Sequence, residues 1–66
     1  MEIFVNGELL QAEAAMTVAA LLAARGLAGK RVAVERNGEI VPKSCHDQTP
    51  LAAGDHLEIV VAVGGG

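Results

Sequence analysis

The sequence closes with HLEIVVAV (residues 56–63), followed by GGG (residues 64–66). The first segment is apolar on both faces of a strand, a pattern that suits a central position in a sheet. We expect it to lie beside the first strand and parallel to it, because the connection between the two is long. Glycines have no Cβ, so the tail either presents its own carboxyl end to a partner or is a frayed end.

Length and composition limit the chain to one small domain. Its 66 residues are 52% hydrophobic with a single aromatic, Phe4, so the core must be built from aliphatic side chains. A net charge of −3 argues against nucleic-acid binding, which needs a basic face. No apolar run is long enough to cross a bilayer. We therefore expect protein partners, no nucleic acid and no membrane, with residues 1–63 folded and residues 64–66 as a flexible tail.

The single cysteine argues against both a disulfide and a reactive centre. Cys45 has no second cysteine to pair with, and Met1 opens an alternating strand rather than a leader, so we expect a cytoplasmic protein. His46 is adjacent to Cys45, but neighbouring side chains on an extended segment point apart. No further ligands stand at metal-binding spacing. We expect an ordinary loop thiol beside a polar loop histidine, with no metal and no catalytic residue.

Two Asn-Gly pairs predict two β-hairpins, because both central residues of a type I′ turn need positive φ. Asn6-Gly7 follows the alternating segment Met1–Val5, and Asn37-Gly38 follows Arg31–Arg36. If these pairs are the turns, the cross-strand partners are Phe4 with Leu9, Ile3 with Leu10, Val34 with Val41, and Arg36 with Glu39.

One helix is expected between the hairpins. Thr17 is a suitable N-cap, and the apolar residues that follow recur at helical spacing from Val18. Gly26 suits the left-handed position after the last turn, with Leu27 folding back onto Leu22. Residues 43–53 show no period and are predicted to form a loop, with a helical turn after residues 49–50.

These elements predict an α+β fold, a mixed sheet of about five short strands packed on one helix. One helix covers only one face of such a sheet. The alternation places Phe4, Leu9, Val60 and Ala62 on the other face, where an apolar surface would serve for docking. The alternative is that they are ordinary half-buried sheet residues.

Several short motifs then resemble a known family. In order, they are Val5-Asn6-Gly7-Glu8, Thr17-Val18, Asn37-Gly38-Glu39-Ile40-Val41-Pro42, Gly54-Asp55, Glu58-Ile59-Val60 and Val63-Gly64-Gly65-Gly66. Their order and spacing resemble the ThiS family, the sulfur carriers of thiamine biosynthesis, over the whole chain. The resemblance implies the ubiquitin-like β-grasp fold. The sequence departs from the family near His46, where the family usually has tryptophan.

The resemblance also implies a function. Gly66 would be the C-terminal, reacting residue, and Gly64 and Gly65 would let the tail enter a partner. In the family an E1-like adenylyltransferase consumes ATP to adenylate the terminal carboxylate. A sulfur-donating enzyme supports its conversion to a thiocarboxylate, and thiazole synthase receives the sulfur. The carrier binds no cofactor itself and is not an enzyme. Two alternatives stay open: the small subunit of molybdopterin synthase, which uses the same chemistry, and a β-grasp interaction module with an inert tail.

Overall fold

The computed structural model describes residues 1–62, so Val63 and the predicted tail residues Gly64, Gly65 and Gly66 lie outside the described residues. Five strands form one mixed sheet in the order β2-β1-β5-β3-β4. No helix in this part of the chain is long and apolar enough to cross a membrane. The elements are β1 (Glu2–Val5), β2 (Glu8–Gln11), α1 (Val18–Ala24), β3 (Val32–Arg36), β4 (Glu39–Ile40), a 3₁₀ helix (Lys43–Gln48) and β5 (His56–Val61).

The last strand occupies the predicted central position. β5 runs parallel to β1, with Val5 opposite Leu57, and antiparallel to β3, with Val34 opposite Ile59. The strand ends at Val61 rather than at the predicted residue 63. The two neighbouring strands hold β5 from both sides.

Both predicted hairpins are confirmed, and so is their register. Asn6 and Asn37 have φ of 50° and 53°, and the glycine after each also has positive φ, as a type I′ turn requires. The observed pairs include Phe4–Leu9, Ile3–Leu10 and Arg36–Glu39. The Val41 N–H donates to the Val34 carbonyl at 2.8 Å, which extends the second hairpin by one bond.

The helix begins and ends as its flanking residues predict. The Thr17 hydroxyl accepts a hydrogen bond from the Ala20 N–H at 3.1 Å. At the other end Gly26 has φ of 74°. Its N–H donates to the Ala23 carbonyl at 3.0 Å, and the Leu27 N–H donates to the Leu22 carbonyl at 2.8 Å. These two bonds define a Schellman motif, which needs a residue such as glycine at its left-handed position.

The core is aliphatic and joins α1 to one face of the sheet. It consists of Ile3, Val5, Val18, Leu21, Leu22, Val34, Leu51, Leu57 and Ile59. The strand residues alternate, so those between the core positions project from the opposite face. We call this opposite side of the sheet the outer face.

The prediction for the connection before β5 is wrong in one respect. The helical turn lies over Lys43–Gln48, before rather than after residues 49–50. Pro50 instead forms an extended bridge with Thr17, and the Leu51 N–H donates to the Met16 carbonyl at 2.7 Å. Only one residue of the 3₁₀ helix is buried, so it leaves no helical period in the sequence.

Candidate functional site

The outer face of β5 is polar at the start of the strand and apolar towards its end. His56, Glu58 and Val60 point outward, whereas Leu57 and Ile59 between them are buried. Val60 is 63% exposed although it is a large aliphatic residue in the central strand. Apolar surface of this kind favours contact with another protein.

One apolar group of the outer face lies at the start of β5. Phe4 is half-buried and pairs with Leu9, which is 52% exposed. The rings of Phe4 and His56 stack, with centroids 4.5 Å apart and planes 12° from parallel. His56 is exposed on the outer face, and its imidazole packs against the phenyl ring.

The second group lies further along the strand. Val60 is opposite Ala33 on β3, and exposed Ala62 follows the end of β5. Glu58 separates Val60 from His56 and lies directly opposite Glu35, so two like charges divide the apolar surface. The residues singled out from the sequence therefore share one face but form two groups, about 13 Å apart along β5 at 3.3 Å per residue.

Two asparagine side chains hold β5, a role that the sequence alone does not reveal. Beyond the end of β1, the Asn6 Nδ2 donates to the Ile59 carbonyl at 3.1 Å, and its Oδ1 accepts from the Ile59 N–H at 2.8 Å. On the other side, the Asn37 Oδ1 accepts from the His56 N–H at 2.9 Å. Each turn thus supplies a side-chain amide where a strand would supply a peptide group.

A buried carboxylate fixes the loop that leads into β5. Asp55 is 5% exposed and accepts hydrogen bonds from Arg36 at 2.7 Å, the Ala52 N–H at 2.8 Å and Asn37 at 3.0 Å. Burial raises the pKa of the Asp55 carboxyl, but these hydrogen bonds and the Arg36 charge outweigh it, and the pKa lies below its ordinary value. The ionised carboxylate of Asp55 therefore has a structural role, because it ties the loop before β5 to Arg36 and Asn37.

His46 does not behave as a polar loop histidine, and that prediction is wrong. It lies in the 3₁₀ helix, is 8% exposed, and has its Nε2 3.1 Å from the Val41 carbonyl. A carbonyl only accepts, so Nε2 donates this bond. His46 lines a cleft of about 330 Å³, as do Lys30 and Lys43. Among residues 1–62 no three potential ligands come together as a metal site.

Comparison with known proteins identifies the family. The model of the ThiS family matches residues 2–66. The chain belongs to the ThiS family. A crystal structure of the thiamine biosynthesis protein ThiS from Geobacter metallireducens superposes with a TM-score of 0.80 at 35% identity, and each chain is covered completely. The solution structure of a thiamine biosynthesis protein from the same organism gives a TM-score of 0.80 at 33% identity over 88% of that chain. The fold is thus the ubiquitin-like β-grasp of ThiS.

Two curated relatives of this ThiS-family chain are longer proteins. The thiazole synthase of Paramagnetospirillum magneticum (strain ATCC 700264 / AMB-1) is 52% identical over all 66 residues, and that of Magnetococcus marinus (strain ATCC BAA-1437 / JCM 17883 / MC-1) is 41% identical. The chain spans 20% of the length of each relative. The ThiS-like region thus recurs inside proteins named for thiazole synthesis.

Proposed function

We propose that this ThiS-family chain is a sulfur carrier of thiamine biosynthesis and that Gly66 holds the sulfur as a thiocarboxylate. The observation that carries the proposal is the family match over residues 2–66, which includes Gly64, Gly65 and Gly66. The position of β5 supports it, because this central strand of the sheet ends at Val61, five residues before Gly66 in the sequence. The chain acts as a substrate of its partners and not as a catalyst.

The chemistry requires activation of the carboxyl group. A C-terminal carboxyl has a pKa of about 3.5, so near neutral pH it is an anion and a poor electrophile. Attack of the carboxylate on the α-phosphorus of ATP releases diphosphate and forms an acyl-adenylate. A hydrosulfide equivalent then attacks the acyl carbon, the C–S bond forms as the C–O bond to AMP breaks, and a thiocarboxylate remains. An E1-like adenylyltransferase would consume the ATP, and the carrier would bind no cofactor.

The outer face is proposed as the docking surface. Phe4, Leu9, Val60 and Ala62 would contact the activating enzyme, the sulfur-donating enzyme and thiazole synthase in turn. Thiazole synthase is supported as a partner by the two longer relatives that carry this region. These encounters would take place in the cytoplasm.

Intact-mass spectrometry of the chain from its host tests the proposal. Replacement of a carboxylate oxygen by sulfur adds about 16 Da, and deletion of Gly66 should abolish the gain. Oxidation of Met1 or Met16 adds the same nominal mass, so the gain must be localised to a C-terminal fragment. Cys45→Ser is the matched control, because it removes the chain's only thiol and should leave the gain intact.

Growth requirements separate the two carrier alternatives. Loss of the gene should create a requirement for thiamine, whereas a molybdopterin synthase subunit would instead be needed for molybdoenzyme activity. A chain that stays unmodified during thiamine starvation would contradict the proposal and favour the interaction module.

A further inference from the structure

The end of β5 is held unequally on its two sides. Toward β3, the ladder continues through Val60 and Val61, and the Ala62 N–H donates to the Arg31 carbonyl at 2.9 Å. Toward β1, backbone pairing stops after Val5 opposite Leu57, because the chain turns away at Asn6. Any further bond on that side must come from the turn itself.

The Asn6 side chain continues the ladder that β1 no longer supplies. Its backbone N–H donates to the Leu57 carbonyl at 2.9 Å, as the next residue of a parallel strand would. Its side-chain amide then both donates to and accepts from Ile59, at 3.1 and 2.8 Å. Among residues 1–62 these are the last hydrogen bonds that β5 receives from the β1 side.

We infer that Asn6 is a positioning residue for sulfur transfer, which fixes the place and direction in which the chain leaves the sheet toward Gly66. The inference rests on the proposed function. A reacting group that follows a strand reaches a partner's active site productively only when the end of the strand is held in place relative to the docking surface. Misplacement of the reacting group by about 1 Å is enough to slow a reaction. Asn6 supplies this restraint at Ile59, one residue before Val60 of the docking surface.

The chain offers a matched control for this role. Asn37 occupies the other Asn-Gly turn with nearly the same φ, and its amide holds the opposite end of β5 at His56. Asn6→Gly and Asn37→Gly both keep a residue that tolerates positive φ, and both remove two side-chain hydrogen bonds. Only the first variant removes the restraint on the β1 side near the strand end that leads to Gly66.

Hydrogen exchange tests the structural half of the inference. In Asn6→Gly we expect the Ile59 amide to exchange at least about tenfold faster while the His56 amide is unchanged, and the reverse in Asn37→Gly. Unfolding in urea measures whether the two variants lose comparable stability. If they do, global unfolding does not explain the difference in amide exchange between Ile59 and His56. Unchanged exchange at Ile59 in Asn6→Gly would contradict the restraint.

Single-turnover loading tests the functional half. Wild type and both variants are incubated with the host's ATP-dependent activating enzyme, ATP and sulfide, and thiocarboxylate is followed by mass. We expect Asn6→Gly to load about tenfold more slowly at saturating enzyme with little change in the Kd for that enzyme, and Asn37→Gly to load at the wild-type rate. If the wild type gains sulfur normally and the two variants load at equal rates, the inference about Asn6 is wrong while the proposed function stands. Failure of the wild type to gain sulfur overturns the proposed function and the role in delivery with it.

Discussion

The carboxylate of Asp55 contributes stability that depends on pH. Its pKa is lower in the folded chain than the value of about 3.9 in an unfolded one, so the folded state favours the charged form. The contribution is complete above the unfolded pKa and is lost as the pH falls through the folded pKa. Asp55→Asn should therefore lower the free energy of unfolding by about 1 to 2 kcal/mol at pH 7, with a smaller difference from wild type below about pH 4.

Urea unfolding at a series of pH values measures this effect. Asp47→Asn is the control, because Asp47 is exposed and its replacement should change stability by less than about 0.5 kcal/mol. A stability difference for Asp55→Asn that stays constant down to about pH 3 would contradict the assignment.

His46 shows what adjacent residues do not reveal about a single side chain. The sequence predicts a polar loop histidine, yet the side chain is buried and its Nε2 donates to the Val41 carbonyl. The same residue lines the cleft of about 330 Å³. Burial here depends on how the 3₁₀ helix packs against α1, which no local pattern in the sequence shows.

Local signals predicted the hairpins and the helix well because each is decided by a few adjacent residues. The Asn-Gly turns and the Thr17 and Gly26 caps need only their own backbone conformation and near neighbours. The second role of the asparagines was not predictable in this way. The bond from Asn6 to Ile59 spans 53 residues of sequence, and that from Asn37 to His56 spans 19.

The start of α1 should depend on its cap. The helix has only seven residues, and the Thr17 hydroxyl satisfies one of its first N–H groups. Thr17→Ala should lower the free energy of unfolding by about 1 kcal/mol, whereas Thr17→Ser, which keeps the hydroxyl, should cost much less. Thermal or urea unfolding measures both changes. Equal losses in the two variants would show that the methyl group matters more than the cap.

The architecture followed from the hydrophobic pattern of one strand. Apolar residues on both faces predicted a central β5, and the long connection predicted its parallel pairing with β1. The division of the outer face was not predicted, because alternation shows which residues share a face but not how far apart they lie along it. The Glu35–Glu58 pair between the two groups depends on the register of β3 against β5.

Docking on the outer face has a matched test across the sheet. Val60 and Ile40 are both exposed aliphatic residues on this face, at 63% and 65%, but Ile40 lies on the edge strand β4, outside the proposed surface. Val60→Glu should weaken binding to the activating enzyme about tenfold, whereas Ile40→Glu should leave it unchanged. Both changes should alter the free energy of unfolding by less than about 0.5 kcal/mol. Titration calorimetry measures the binding, and equal effects would indicate nonspecific charge repulsion.

A strand bonded on both sides in the middle of a sheet also determines how the molecule responds to force. Traction applied beyond Ala62 loads β5 along its own axis, so the bonds to β1 and β3 share the load and resist together in shear. A strand pulled at right angles would lose its bonds one at a time. Forced unfolding is governed by the height of the barrier, and shared loading raises that barrier. A partner that pulls on the last residues therefore loads β5 in the direction in which the sheet resists forced unfolding most strongly.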